Sequence, residues 1–325
     1  MKPARIPLLF DRRRLALAGH LFKDPVTAHV KLCFVQANPF VLQGKDGGMA
    51  TFARRDCRND TLWDWLCAEG AGMGVASHID SDGHLRLSHA SFGTFKLRPT
   101  SQDFLVFDEI VIQDGYAIAA MPDTLETVLD IGANCGVLST MMWRKARQVI
   151  SVEPVEGNYR QLCANLSLNG RPLDYAYKLA VGKKSGEILE IYTDPNKTGC
   201  NSSIAALLDA AENSNTVEKV PTISLEDLYR KAGAHRADLV KCDIEGGEYD
   251  LFEGATDATL LRADRYAMEV HLFNRECLGR SATIAERLRH QGYAVECSKS
   301  AAELEQQVNA GRKPIFILTA QRSKA

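Results

Sequence analysis

No two of the nine cysteines stand in a C-x-x-C pair, and their count is odd. That excludes a disulfide framework or a thiolate zinc site as the organising principle and fits a reducing compartment. Net charge is nearly absent too, because 39 Lys and Arg face 41 Asp and Glu and leave −2 at neutral pH. Bulk attraction to nucleic acid or to an anionic membrane has no basis in such a chain. No apolar run is long enough to span a bilayer. Residues 1–20 place Asp11-Arg12-Arg13-Arg14 between two short apolar patches and lack the unbroken apolar core of a secretory signal. A soluble, cytoplasmic protein is the expectation. Internal repeats and low-complexity linkers are missing as well, and 325 residues suffice for one large domain or two smaller ones.

What is present is organised around Thr127-Val128-Leu129-Asp130-Ile131-Gly132-Ala133-Asn134-Cys135-Gly136. An apolar run ends in an acid, then glycines, and residues 137–144 follow with helical character. A buried parallel strand that turns sharply into a helix reads this way. Gly132 and Gly136, without a Cβ, are expected to give a ligand close access to the backbone. A dinucleotide fingerprint requires G-x-G-x-x-G, and only its first glycine and a displaced second one are here. Asp130 at the strand tip repels a diphosphate and favours an ammonium group. The ligand expected is a nucleoside with a cationic tail, which describes S-adenosylmethionine.

Three further strands carry chemistry at their tips. Arg147 to Val152 is a second buried strand ending in Glu153, which lies 153 − 130 = 23 residues beyond Asp130. An acid about 20 residues past the glycine turn accepts hydrogen bonds from ribose hydroxyls in doubly wound folds. The block Ala237-Asp238-Leu239-Val240-Lys241-Cys242-Asp243-Ile244-Glu245-Gly246-Gly247-Glu248 repeats the pattern of apolar strand, acids, glycines and helix. Crowded acids at a strand's carboxyl end mark functional sites, so Asp243 and Glu245 are candidates, whereas Glu248 is read as a local helix cap. Tyr266 to His271 is the next strand, and its neighbourhood to the Asp243 strand makes His271 a catalytic or substrate-binding candidate. Asp243 and His271 alone are too few ligands for a metal, and none is expected.

The remainder is less legible. Residues 75–97 look like strands with Asp80-Ser81-Asp82-Gly83 as a hairpin turn. His78, His84 and His89 there match no metal spacing and read as solvated strand and turn residues. Residues 61–69 suggest a short helix with Trp63 and Trp65. Phe104 to Phe107 and Ile110 to Ile112 form a packed helix or strand leading to the core, and Tyr116 reads as a core tyrosine. Residues 158–169 form an amphipathic helix, and Tyr175 to Val181 a third strand whose turn at Ala180-Val181-Gly182 lies beside an adenine ring. Further β structure is expected at 187–192 and 217–223. The polar loop from Asn196 to Ser203 suits a wall of the acceptor pocket. A helix at 284–290 precedes strands at 293–297 and 314–320, read as an antiparallel hairpin at one sheet edge.

These segments, taken together, resemble the FkbM family of S-adenosylmethionine-dependent methyltransferases over about residues 99–275. The matching pieces are Val128 to Gly136, Val152-Glu153-Pro154 with Asn158 and Asn165 to Gly170, and Ala180-Val181-Gly182. Ile223 to Leu228 and Lys241 to Glu248 complete the set. Arg98-Pro99 and Asp103 resemble the family's lead-in, with Gln102 a departure from it. The resemblance implies an α/β, Rossmann-like class I methyltransferase sheet, mostly parallel with an antiparallel last strand, in residues 99–325. Residues 1–98 are then an N-terminal cap or specificity region. It implies S-adenosyl-L-methionine bound by Asp130, Gly132, Asn134, Gly136 and Glu153, to which the reading of the turn at Ala180 adds that residue beside the adenine. The implied reaction is methyl transfer to a hydroxyl of a saccharide, glycan or glycosylated metabolite, with Asp243, Glu245 and His271 as catalytic candidates. Two other readings compete: a nicotinamide dehydrogenase, and a cofactor-binding partner subunit without activity.

Overall fold

Leu125–Ile131 is buried at every position except Glu126, and Leu239–Cys242 is buried throughout. Apolar strands of this kind sit inside a parallel sheet covered on both faces. The computed structural model places them there; it describes residues 16, 18–19, 21–34, 40–52, 75–98, 101–193 and 216–322. The chain divides into two compact units, Met1–Gly115 with Ala164–Arg171 and Pro195–Gly199, and Tyr116–Cys163 with Pro172–Asp194 and Cys200–Ala325.

The first unit contains helix α1 (Pro25–Phe34) and the antiparallel pair β1 (Phe40–Gln43) and β2 (Met49–Phe52). A second antiparallel sheet runs β3 (Val75–Ile79), β4 (Leu85–His89) and β5 (Gly93–Leu97). The expected hairpin turn joins β3 to β4: Asp80 Oδ1 accepts from the N–H groups of Asp82 and His84, and Gly83 takes φ +79°. Arg86 and Lys96 supply the positive charge around Asp80. The outer edge of β5 is covered by two asparagines one helical turn apart. Asn165 Oδ1 accepts from Lys96 N at 2.7 Å and Asn169 Oδ1 from Thr94 N at 2.9 Å. Unpaired strand N–H groups are thereby satisfied without another strand. Helix α2 (Asp103–Phe107) runs into a π-helical turn at Asp108–Ile112. Asp103, fully buried, is gripped by Arg98 through Nε at 2.9 Å and Nη2 at 2.6 Å. The helix expected at 61–69 lies outside the described residues.

The second unit holds β6 (Leu125–Ile131), α3 (Val137–Met142), β7 (Ala146–Val152), and α4 (Glu156–Leu168), whose end from Ala164 groups with the first unit. Then come β8 (Ala176–Tyr177), β9 (Ala180–Val181), β10 (Ile188–Thr193), β11 (Thr216–Ile223), α5 (Leu225–Lys231) and β12 (Leu239–Cys242). The chain continues through α6 (Glu248–Gly254), α7 (Asp257–Leu260), β13 (Arg265–His271), α8 (Arg275–His290), β14 (Tyr293–Cys297), α9 (Ala301–Asn309) and β15 (Ile315–Arg322). Side chains fix the helix starts: Ser224, Asn274 and Ser300 cap α5, α8 and α9, the last with a reciprocal Glu303.

The main sheet has seven strands in the order β14-β15-β13-β12-β6-β7-β8. Pairs from β13 to β8 are parallel, and β15 is antiparallel to both its neighbours. The Rossmann-like methyltransferase sheet is therefore present, with its last strand reversed. The closing pair is antiparallel at one sheet edge as expected, with α9 in the connection between β14 and β15 and β15 inserted beside β13. One detail differs from the sequence reading. The strand expected at 175–181 is split, and β9 leaves the main sheet to join β11 and β10. No helix among the described residues is long and apolar enough to cross a membrane.

Candidate active site

From β6 the chain moves to β7 and β8 on one side and returns to β12 and β13 on the other. Ligands of open α/β sheets bind at such a switch point, outside the carboxyl ends of the strands. Here the tips of β7, β6, β12 and β13 carry Glu153, Asp130, Asp243 and the pair Glu269 and His271.

Lys241 joins two of these tips. Its ammonium, buried, donates to Gly132 O at 2.7 Å and stands 3.6 Å from both Asp130 Oδ1 and Asp243 Oδ2. The ring of Tyr116 lies beside it, 5.7 Å from Nζ to centroid, within cation–π range. Burial alone would push this ammonium down, but the charges of Asp243 and Asp130 more than offset it and hold it above its usual range. Asp130 is wholly buried and also accepts from Ser139 Oγ at 2.5 Å. It lends the turn negative charge through this network, its oxygens being closed to solvent.

The turn after β6 explains its glycines. Gly132 takes φ +77°, and a Cβ there would stand 1.7 Å from Asp243 O. Gly136 takes φ +81°, and a Cβ would stand 2.6 Å from Leu162 Cδ1. The missing side chains thus let the two strand-tip loops and α4 close on the turn. Asn134 is left-handed at φ +50°, its N–H donates to Glu153 Oε2 at 2.9 Å, and its Oδ1 is buried with no hydrogen-bond donor among the described residues. Glu153 Oε1 accepts from Val155 N at 2.9 Å. Burial pushes the Glu153 carboxyl up to about 7, although the N–H groups of Val155 and Asn134 and the charge of Lys241 pull it down. Ala180 lies in β9, where it packs with Val155, Ile191 and Val220.

A second cluster surrounds His271, which is 3% exposed. Its Nδ1 is 3.2 Å from Glu248 Oε1, and its Nε2 is 3.2 Å from Glu245 Oε2 and 3.5 Å from Glu269 Oε1. Burial opposes a charge on the ring, yet the Glu248 hydrogen bond and the charges of Glu248, Glu245 and Asp243 raise it well above the ordinary histidine value. Glu245 is raised as well, because its own burial and the neighbouring carboxylates outweigh the attraction of His271. Glu245 adopts φ +52°, a conformation costing about 1–3 kcal/mol in a residue other than glycine. Tyr249 Oη donates to His271 O at 2.7 Å and fixes the strand end.

The structure therefore brings Asp130, Gly132, Asn134, Gly136 and Glu153 together with Asp243 at the switch point, and Glu245 with His271 beside them. Sequence reasoning missed Lys241 and Glu269 and read Glu248 as a local cap. Glu248 does accept from Ile244 N and Gly246 N, but it is fully buried and also pairs with His271 on β13. Period-two spacing was the available signal: Glu269 shares a strand face with His271, and Lys241 shares one with Asp243. Tyr116 is as buried as a core tyrosine, with its hydroxyl 3.5 Å from Asp243 Oδ2.

Comparison with known proteins adds a family. The methyltransferase FkbM domain model matches residues 130–295, half of the chain. The AMB antimetabolite synthetase AmbE of Pseudomonas aeruginosa is 25% identical over 229 residues, which cover 60% of this chain and 10% of the synthetase. Methyltransferase 1 of Beauveria bassiana is 24% identical over 208 residues, 58% of this chain and 80% of that protein. A crystal structure of a methyltransferase FkbM from Methylobacillus flagellatus aligns with a TM-score of 0.38 at 13% identity, covering 66% of this chain and 47% of the other. The chain thus spans about a tenth of the synthetase and about half of the solved structure.

Proposed function

This chain belongs to the FkbM methyltransferase family, and from that premise we propose that it methylates a hydroxyl of a saccharide, glycan or glycosylated metabolite. One observation carries the reading: acids from neighbouring parallel strands meet at the switch point around a buried Lys241, and Asp243 is the most open of them. Its side chain is 28% exposed, against 22% for Glu245 and 21% for Glu269.

The family implies S-adenosyl-L-methionine as the usual cofactor, and when bound it supplies a methyl group already activated by a sulfonium. The residues at the turn fit such a nucleoside. Glu153 offers carboxylate oxygens to ribose hydroxyls at the tip of β7, and the buried Asn134 Oδ1 is an acceptor still in need of a donor. Gly132 and Gly136 fix the turn that presents both, and Asp130 with Lys241 sets its electrostatics. Ala180 packs against Val155, which donates its N–H to Glu153.

A sugar hydroxyl is a poor acid, and a positioned base contributes typically about 10² to 10⁴-fold. Asp243 takes that proton, because its carboxylate is the most open of those at the strand tips. Glu245 and His271 hold the acceptor oxygen in place. The remaining catalytic work is alignment, which the rigid strand tips provide.

The experiment supplies labelled S-adenosylmethionine with a panel of sugars, glycosides and amine-bearing controls, to the native chain and to Asp243→Asn. Label on a sugar oxygen is expected, with turnover in the variant down about 10² to 10⁴-fold while S-adenosylhomocysteine still binds. Label found on nitrogen or carbon would overturn the hydroxyl acceptor. Equal loss of binding and turnover would make Asp243 part of the nucleoside pocket.

A further inference from the structure

Asp243, Glu248 and His271 each offer a ligand atom, and these atoms lie within 4.8 Å of one another. Glu248 is fully buried, and its Oε2 has no hydrogen-bond partner among the described residues. A buried carboxylate oxygen left without a partner bears an uncompensated desolvation cost, so such an atom commonly marks an ion or water site. His271 meets the cluster through Nδ1, 3.2 Å from Glu248 Oε1. One buried polar atom of the cluster, Glu248 Oε2, therefore lacks the partner that would explain it.

We propose that Asp243, Glu248 and His271 bind one divalent cation of the manganese kind. The spacing suits it. Ligand atoms about 2.1 Å from a six-coordinate ion stand roughly 3.0 Å apart when adjacent and roughly 4.2 Å when opposite. The separation of 3.2 Å between His271 Nδ1 and Glu248 Oε1 belongs to the adjacent class. Two carboxylates and one imidazole form a mixed hard and borderline donor set, which suits manganese. The ligands come from the tip of β12, the first residue of α6 and the last residue of β13, so packing already fixes them. Three protein ligands leave positions for acceptor oxygens, and the exposed edge of Asp243 is the way in. The role of the cation rests on the proposed methyl transfer: it holds the acceptor hydroxyl at the tip of β12, while the second oxygen of Asp243 stays free for the proton.

The test uses the full chain stripped by chelator and titrated with Mn²⁺ under electron paramagnetic resonance, with S-adenosylhomocysteine binding followed by calorimetry on the same samples. One Mn²⁺ per chain is expected, weakened at least tenfold in Glu248→Gln and in His271→Gln, with nucleoside binding within twofold of native. Should Glu248→Gln not fold, Asp243→Asn, on the open side of the cluster, carries the same expectation. Absence of stoichiometric Mn²⁺ in the native chain, or equal affinity in a folded variant, overturns the site and leaves a proton shared by His271 and Glu248. Failure of S-adenosylhomocysteine to bind while Mn²⁺ binds would count against the methyltransferase reading and not against the cation.

Discussion

Replacing Lys241 by methionine keeps most of the side-chain volume and removes the charge that joins β6 to β12. Three contacts go with it: the 2.7 Å bond to Gly132 O and the approaches of 3.6 Å to Asp130 and Asp243. Asp243 is partly open and recovers water, but Asp130 is wholly buried and keeps Ser139 as its donor. Breaking a buried pair by removing one partner costs about 3–5 kcal/mol, because the other charge stays uncompensated. For a unit of this size each kcal/mol shifts the melting temperature by about 2–4 °C, so a fall of roughly 6–20 °C is expected. The second half of the experiment is Asp130→Asn in the Lys241→Met background, which removes the stranded charge. Thermal unfolding of the four proteins in the cycle should show the double variant more stable than Lys241→Met alone. A single variant that melts within a degree or two of native, or a double variant that is worse, would refute the coupling of the two strand tips through Lys241.

Glu153 is raised to about 7 in the fold against an ordinary 4.5, so the folded state holds the proton more tightly than the unfolded one. Its contribution is fully present below about 4.5 and is lost as pH rises through 7, a difference of about 3 kcal/mol at one pKa unit per 1.36 kcal/mol; denaturant titrations should show this slope in native protein and lose it in Glu153→Gln. Ribose hydroxyls favour the ionised carboxylate, so S-adenosylhomocysteine affinity should rise with pH up to about 7 in native protein only. Gly132→Ala demands both a left-handed alanine and a Cβ 1.7 Å from Asp243 O, and soluble folded protein should be lost, whereas Gly170→Ala at φ +65° meets no atom within 4 Å and should cost about 1 kcal/mol.

The strand, turn and helix from Leu125 to Met142 were legible because each signal was local: an apolar run, an acid and two left-handed glycines. The hairpin at Asp80 to Gly83 was legible for the same reason. What escaped depended on which strands lie side by side. A lysine inside an apolar strand is uninterpretable until β6 is known to neighbour β12, and only then does Lys241 become the link between Asp130 and Asp243. Glu248 looked like a helix cap because its second partner, His271, is 271 − 248 = 23 residues away on β13. The insertion of β15 beside β13 is likewise invisible in the two closing apolar runs. The expected acceptor loop at Asn196 to Ser203 lies outside the described residues.

Calorimetry of the intact chain with S-adenosylhomocysteine tests the central claim most directly. The account requires one saturable site whose affinity falls at least tenfold in Glu153→Ala, where the ribose carboxylate is removed from the tip of β7. Absence of binding heat from the native chain, or an affinity indifferent to that substitution, would contradict it.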